Sequence, residues 1–403
     1  MEKKILPEQY DLIIIGGGPA GLSAGIYGGR ARLKTLLLEK GTIGGRAHTT
    51  REIVNYPGTV SASGPELSEQ MEAHARKFGV EIRRQAVREV DFSGEEKIVK
   101  TRRGEYHAPA VILALGTTER ILGIPGEREY AGMGVAYCAT CDAEFFQDQD
   151  VFVVGSGDQG IEEGMYITRF ARSVTVVVLH DEGILDCNRQ AAEKAFANPK
   201  MHFIWNSTVA EVLGDGSQVT GIRVRSEKTG QLTDYPCQGV FFFVGTVPAT
   251  DFLKGQLELD DRGWIHTNDR METSVDGVFA AGDVRDKYLR QVATAVSDGA
   301  VAATAAERYI EEQRDFRQMV LESREPVVLA FWDPQVPGSL EAMAAARTEY
   351  SSRPEAGRFL ELDISRKKGL ARRYGVTLDA AHPAVTVELT GGAVTARSDG
   401  KAQ

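Results

Sequence analysis

Two cysteines three positions apart, Cys138 and Cys141 of AYCATCDAEFF (136–146), carry the most chemical capacity in this 403-residue chain. A CxxC pair in a reducing compartment is either a redox couple or half of a metal site. No second CxxC or His pair completes a zinc set, so no metal is expected and redox is preferred. A cysteine that opens a helix has its thiolate stabilised by the helix N-terminus, and thiolate is the form that attacks a disulfide; this is expected of Cys141. Asp142 follows at once, a carboxyl able to give and take the proton that exchange requires. Cys187 and Cys237 stand alone and read as unpaired structural or surface thiols, so the chain is not a secreted disulfide framework.

Elements able to serve such a couple flank it. YDLIII (10–15) reads as a buried strand, GGGPAGLSAGIYGGR (16–30) as a glycine turn opening a small-residue helix, and TLLLEK (35–40) as a second strand ending near Glu39. Gly16, Gly18 and Gly21 hold the GxGxxG positions of a βαβ unit, where a helix N-terminus meets a pyrophosphate. Glu39 is placed to accept hydrogen bonds from a ribose hydroxyl. The pattern repeats in DVFVVGSGDQGIEEGMYITRF (150–170), with Gly155, Gly157 and Gly160, and continues into SVTVVV (173–178). Two nucleotide folds in one chain suggest one for a flavin dinucleotide and one for its reductant.

Composition narrows the partners. A net charge of −10 argues against non-specific binding to nucleic acid or to an acidic membrane surface. No apolar run approaches a membrane span, and the opening MEKKILPEQYDLIII does not read as a signal peptide. The expected compartment is cytoplasmic.

From about residue 8 to 313 the chain resembles the thioredoxin reductase family of flavin disulfide reductases. The resemblance rests on GGGPAG (16–21), GG (44–45), NYPG (55–58), ALGTTER (114–120), LGIPGE (122–127), CATCD (138–142), the second GxGxxG, and GVFAAGDVRDKYLRQ (277–291). It implies an α/β fold with two Rossmann-like dinucleotide-binding domains, the second inserted in the first: an FAD domain over 1–117 and 246–313, and a CxxC-bearing domain over 118–245. It implies FAD along Gly16, Gly18, Pro19, Ala20 and Gly21, with Glu39 on the ribose and Gly44 and Gly45 near the flavin. Asn55, Gly116, Gly282 and Ala293 complete that set, with Asp283 at the ribityl and pyrophosphate region and Arg290 and Gln291 beside the ring system. Cys141 is then the thiol facing the flavin, Cys138 the one that exchanges with a thioredoxin-like protein disulfide, and Asp142 the acid/base. A homodimer is expected, with the smaller domain rotating between two postures. Ala143 stands where the family usually has glycine.

The departure lies in VTVVVLHDEGIL (174–185). Where the family carries HRRxxxR, this chain is read as having Val178, Leu179, His180 and Ile184. A 2′-phosphate there loses charge-assisted contacts of about 1.5–3 kcal/mol each, so NADPH is disfavoured. Three readings stay open for Gly155–Gly160: NADH held weakly, with Asp181 or Glu182 reaching its ribose; a second flavin; or a vestigial scaffold in a protein fed by a ferredoxin-type carrier, the reading preferred. Accordingly the runner-up functions are an NADH-dependent disulfide reductase and a redox-responsive flavoprotein binding module.

Residues 314–403 read as a separate small α/β domain attached by helix. VVLAFWDPQVP (327–337), a helix, LELD, a basic helix, His382-Pro383 and a hairpin resemble a thioredoxin fold, with Pro383 at that fold's cis-proline position. Asp333-Pro334-Gln335-Val336-Pro337 replaces its Cys pair, so this domain cannot carry electrons. It reads as a docking, dimerising or shielding module, or as a folding appendage. The basic run Arg366, Lys367, Lys368, Arg372 and Arg373 is expected either to meet an acidic partner or to be a solvated helix face.

Overall fold

The computed structural model describes residues 7–50, 53–353, 357–365 and 367–400. Leu12–Ile15 is buried at all four positions because its sheet is covered on both faces. That sheet is wholly parallel, in the order Val278–Ala280, Ala110–Leu113, Leu12–Ile15, Thr35–Glu39, Glu81–Arg84. Helices Pro19–Arg30 and Val292–Phe316 pack on one face, burying Leu22, Ala24, Ala302 and Ala306. A second sheet, from Val87–Asp91 to Glu8–Gln9, contributes Val90, Val99 and Tyr106 to the core on the other face.

The chain leaves and re-enters this unit through paired strands, Thr117–Glu119 against Thr246–Pro248. Between them lies a second parallel sheet, ordered Val135–Ala136, Gly239–Phe242, Asp150–Val154, Ser173–Val177, Met201–Ile204. The helices Asp158–Ile167 and Arg189–Ala197 bury Ile161, Ile167, Ala191 and Ala195 on one face, and a three-stranded antiparallel meander over 207–236 closes the other.

The C-terminal unit has sheet order Arg358–Asp363, Val327–Trp332, Ala384–Thr390, Ala393–Gly400; the first pair is parallel and the others antiparallel. Its attachment is tighter than the sequence suggests. Helix Val292–Phe316 crosses the expected 313/314 boundary unbroken and continues as a π-helical turn, so that Phe316 and Val320 sit in the C-terminal core with Val327, Leu329 and Phe331. The basic run stays partly solvated, with Arg372 and Arg373 exposed, while Lys367, Arg372 and Arg373 each face an acid of the same chain. Arg373 pairs with Glu95, Arg372 lies 3.8 Å from Asp276, and Lys367 reaches Glu312 at 2.7 Å. Arg366 lies outside the described residues.

The expected cis proline is not there. The His382–Pro383 peptide is trans; the Asp379 carboxylate takes the Ala381 and His382 N–H groups at 2.8 and 2.7 Å and delivers the chain directly into the strand at Ala384. A cavity of about 390 Å³ lined by Asp333, Gln335, Ile364, Ser365 and Ala371 opens in this unit, with none of the candidate site residues in its walls. Among the described residues no helix is long and apolar enough to cross a membrane.

Because Phe316 belongs to a helix shared by two cores, Phe316→Ala is expected to cost about 3–5 kcal/mol. Denaturant unfolding measures the loss, and amide hydrogen exchange in strand 327–332 accelerates with it.

Candidate functional site

The glycine loops set the geometry. In the first, Gly16 has φ +110°, and a Cβ there would stand 2.2 Å from the Ala114 carbonyl oxygen; at Gly21 a Cβ would stand 1.9 Å from the Gly16 oxygen. Only glycine allows strand, turn and helix to close this tightly. Gly18 caps the helix in extended conformation with no side-chain bond, and Pro19 occupies the first turn, so the leading N–H groups there have no side-chain acceptor.

The Glu39 carboxylate lies against this loop, accepting the Gly17 and Gly41 N–H groups at 2.6 and 2.7 Å. With Gly16, Leu38, Lys40, Val87 and Leu115 it also lines a cavity of about 150 Å³. Gly44 donates to the Gly17 carbonyl at 2.7 Å, bringing the Gly44–Gly45 turn beside the loop. Asn55 donates to Gln291 at 3.1 Å across 236 positions of sequence, and Gln291 with Thr294 forms the capping box of the helix that contains Ala293.

Asp283 lies close to these groups. Burial holds its carboxyl above the usual carboxylate range, against the pull of Lys287 and Arg290, and its Oδ1 is buried without a hydrogen-bond partner. Gly282 is fixed by its N–H to Asp298 at 3.0 Å, and Gly116 accepts the Ala249 N–H where the chain crosses between domains. Arg290 is held by the Asp283 and Arg285 carbonyls and lies 3.8 Å above the Trp264 ring.

Sequence reasoning missed Trp264, and also Arg46 and His48, whose Nη1 and Nδ1 are buried without hydrogen bonds. For Arg46 and His48 the signal was available: Arg46 directly follows the Gly44–Gly45 turn and His48 stands two positions on. An orphaned carboxylate oxygen, buried nitrogens of Arg46 and His48 that make no hydrogen bond, and an open helix start fit a ligand with both a phosphate chain and hydroxyl groups.

The dithiol pair is bonded, Cys138 to Cys141. Here the helix runs Ala139–Asp142 with Cys138 as its cap, so the first sulfur, not the second, sits at the helix start. Its Sγ accepts the Cys141 N–H at 3.2 Å. The cause is local: Cys138 has extended φ and ψ, and Cys141 is already a turn further in. Cys141 is exposed and Cys138 half-buried. Burial raises the Asp142 carboxyl above its ordinary value. Thr140, between the sulfurs, donates to the Thr49 carbonyl, which ties the pair to the domain of the first glycine loop just past Gly44–Gly45.

Glu127, fully buried, accepts N–H groups of Leu122 and Gly123 and the Tyr137 hydroxyl at 3.0 Å. That locks LGIPGE against the residue before the CxxC. Cys237 is buried and pushed up to about 12, and burial raises the Cys187 thiol as well; neither joins the pair.

The second loop repeats the first, with Gly155 at φ +116° and a Gly160 Cβ position 2.2 Å from the Gly155 oxygen. Of the four positions read against the family's basic cluster, Val178 is fully buried and cannot meet a ligand, because it still belongs to the sheet core. Leu179 and Ile184 are 55% and 54% exposed, and His180 turns to Asp186 at 2.9 Å. Asp181 is engaged by Lys228 at 2.6 Å rather than free to reach a ribose.

A bonded cysteine pair on a domain inserted between two halves of a dinucleotide fold defines a class, the pyridine nucleotide-disulphide oxidoreductases, and that family's model matches residues 10–299; the chain belongs to it and is a flavin-dependent disulfide oxidoreductase. Within this class it falls in the thioredoxin reductase family. It is 50% identical over 309 residues to the thioredoxin reductase of Peptoclostridium acidaminophilum, covering 75% of this chain and 97% of that one. To the thioredoxin reductase of Bacillus subtilis (strain 168) it is 44% identical over 306 residues, covering 76% and 96%. The crystal structure of Lactococcus lactis thioredoxin reductase (FR conformation) superposes with a TM-score of 0.72 at 42% identity, over 75% of this chain and 99% of that one. Membership implies FAD, and the residues around the first loop fit it.

Asp283→Ala is expected to act with opposite signs on two states. Removing a buried, unpartnered carboxyl stabilises the apoprotein, while FAD retention weakens about tenfold to a hundredfold through a lost charge-assisted bond. Thermal melts with and without FAD, together with flavin titration, measure both.

Proposed function

We propose that this protein reduces a thioredoxin-like protein disulfide through Cys138 and Cys141, and that its electrons reach FAD from a ferredoxin-type carrier rather than from NADPH. The observation that carries the reading is the bonded pair capping a helix and tied through Thr140 to Thr49 beside the first glycine loop. FAD, when bound, supplies the electrons that open this disulfide.

The chain's own groups account for the remainder. Once reduced, Cys138 is the better nucleophile, since its sulfur sits at the helix start and accepts the Cys141 N–H, which favours thiolate. It attacks the partner disulfide to form a mixed disulfide, and the first partner thiolate leaves with a proton. Asp142, whose carboxyl burial keeps protonated to higher pH than an exposed one, can give that proton. Cys141 then attacks Cys138 Sγ, releasing the second partner thiolate and restoring the pair. The family's 2′-phosphate arginines have no counterpart in 173–188, which contain neither lysine nor arginine. That absence supports the carrier over NADPH.

Asp142→Asn is expected to slow disulfide turnover by about 10²–10⁴-fold and to abolish the fall in rate that sets in as pH rises through the titration of this carboxyl, which burial holds above an ordinary carboxylate in the unaltered protein. A pH–rate profile reads both. Anaerobic mixing settles the donor: reduced ferredoxin bleaches the flavin and NADPH does not, whereas rapid bleaching by NADPH overturns the carrier reading. Cys138→Ser keeps the flavin and loses turnover.

A further inference from the structure

Resting on FAD bound in the cradle of the first glycine loop, and not on the choice of donor, we infer that Arg46 faces the ring end of the cofactor and that its charge shifts the flavin's redox equilibrium toward the reduced form.

Three side chains about this cradle carry a buried polar atom that makes no hydrogen bond: Arg46 at Nη1, His48 at Nδ1 and Asp283 at Oδ1. Two of them stand on the short helix Gly45–His48, whose start is pressed on the first loop, since a Cβ at Gly45 would stand 3.3 Å from the Gly18 Cα. A buried donor with no acceptor is costly unless a ligand takes the bond.

The neighbours of Arg46 tell which end of the cofactor arrives there. Glu39, the acid placed for a ribose, accepts from Gly17 and Gly41 and lines its own cavity with Lys40, Val87 and Leu115. Arg46 has a different setting. Its Nη1 lies 3.7 Å from Glu119 on the crossing strand, and its charge draws down both the Asp283 carboxyl and the Glu163 carboxyl of the inserted domain, each of which burial raises. Thr49, next along the chain from this helix, accepts from Thr140 between the sulfurs. A cofactor that opens the disulfide must present its ring to this seam.

The charge of Arg46 is not consumed by its surroundings. At 3.7 Å the contact with Glu119 is too long for a hydrogen bond, and side chains 38% and 42% exposed make a weak ion pair. Of the other cations acting on Asp283, Lys287 is taken by Asp298 and Arg290 by two backbone carbonyls. Two-electron reduction of a flavin takes up one proton near neutral pH and leaves one net negative charge on the ring. A nearby guanidinium favours that product over the neutral oxidised ring.

The test uses full-length, FAD-loaded protein in the Cys138→Ser background, so that a reference dye equilibrates with the flavin alone. Arg46→Gln and Arg46→Lys are compared with the form that keeps Arg46, and thermal midpoint and flavin content verify that each is folded and loaded. During slow anaerobic reduction, Arg46→Gln is expected to lower the ratio of reduced to oxidised flavin at a given dye poise by about tenfold, about 30 mV for a two-electron couple. Arg46→Lys is expected to keep most of that ratio. Titration of the apoproteins with oxidised FAD is expected to show affinity changing by less than the ratio does.

An unmoved equilibrium in folded, loaded Arg46→Gln overturns the inference. So does a shift in Arg46→Lys equal to that in Arg46→Gln, which takes charge out of the account. A fall in FAD affinity with no shift in the equilibrium assigns Arg46 to the phosphate chain and overturns it as well. Protein with Arg46 in place that takes up no FAD sinks the cofactor reading itself, a result distinct from these.

Discussion

The bond from the Thr140 hydroxyl to the Thr49 carbonyl is the constraint on which the rest depends. A disulfide can be opened by a cofactor on another domain only if the two domains present them to each other. Thr140 lies between the sulfurs, and Thr49 follows directly on the short helix that begins at the Gly44–Gly45 turn. This one polar contact links the inserted domain's chemistry to the cradle built by the first glycine loop. Arg46, 3.7 Å from Glu119 at the crossing strands, adds a charge on the same seam. Burial raises the Glu163 carboxyl on the facing helix while Arg46 pulls it back down. The two domains are joined by paired short strands and a few polar contacts.

A second rigid element organises the far end. The 25-residue helix Val292–Phe316 begins with a capping box at Gln291, whose side chain accepts from Asn55, and ends inside the C-terminal core. Asp298, nearly two turns in, holds Arg285, Lys287 and the Gly282 N–H, ordering the segment that carries Asp283. The C-terminal unit is therefore not a tethered arm. Its basic helix, which as a string of residues invites an acidic partner, is turned against Glu95, Asp276 and Glu312 of the same chain.

What could be read from sequence follows from how local the physics is. Both βαβ units, the cysteine pair and the element order of the C-terminal unit were legible because glycine spacing and apolar runs fix them within about thirty residues. Cys138 as helix cap was missed by three positions, since helix boundaries depend on dihedral choices that a short polar stretch leaves open. That Val178 is buried was not legible, because a strand's last buried residue and first exposed residue look alike when both are aliphatic. The partners of Arg290 and Arg373 lie 26 and 278 positions away in the chain, and no periodicity announces a Trp264 ring or a Glu95 carboxylate.

The account's central claim is that electrons pass between FAD and the Cys138–Cys141 couple. Anaerobic reductive titration of the FAD-loaded protein with dithionite, with thiols counted afterwards, tests it most directly. The account predicts that full reduction consumes about two more electrons per flavin than the Cys138→Ser variant requires, the capacity of one disulfide couple, with the new thiols appearing on Cys138 and Cys141. Equal consumption by the two proteins, with the disulfide intact beside a fully bleached flavin, would contradict it.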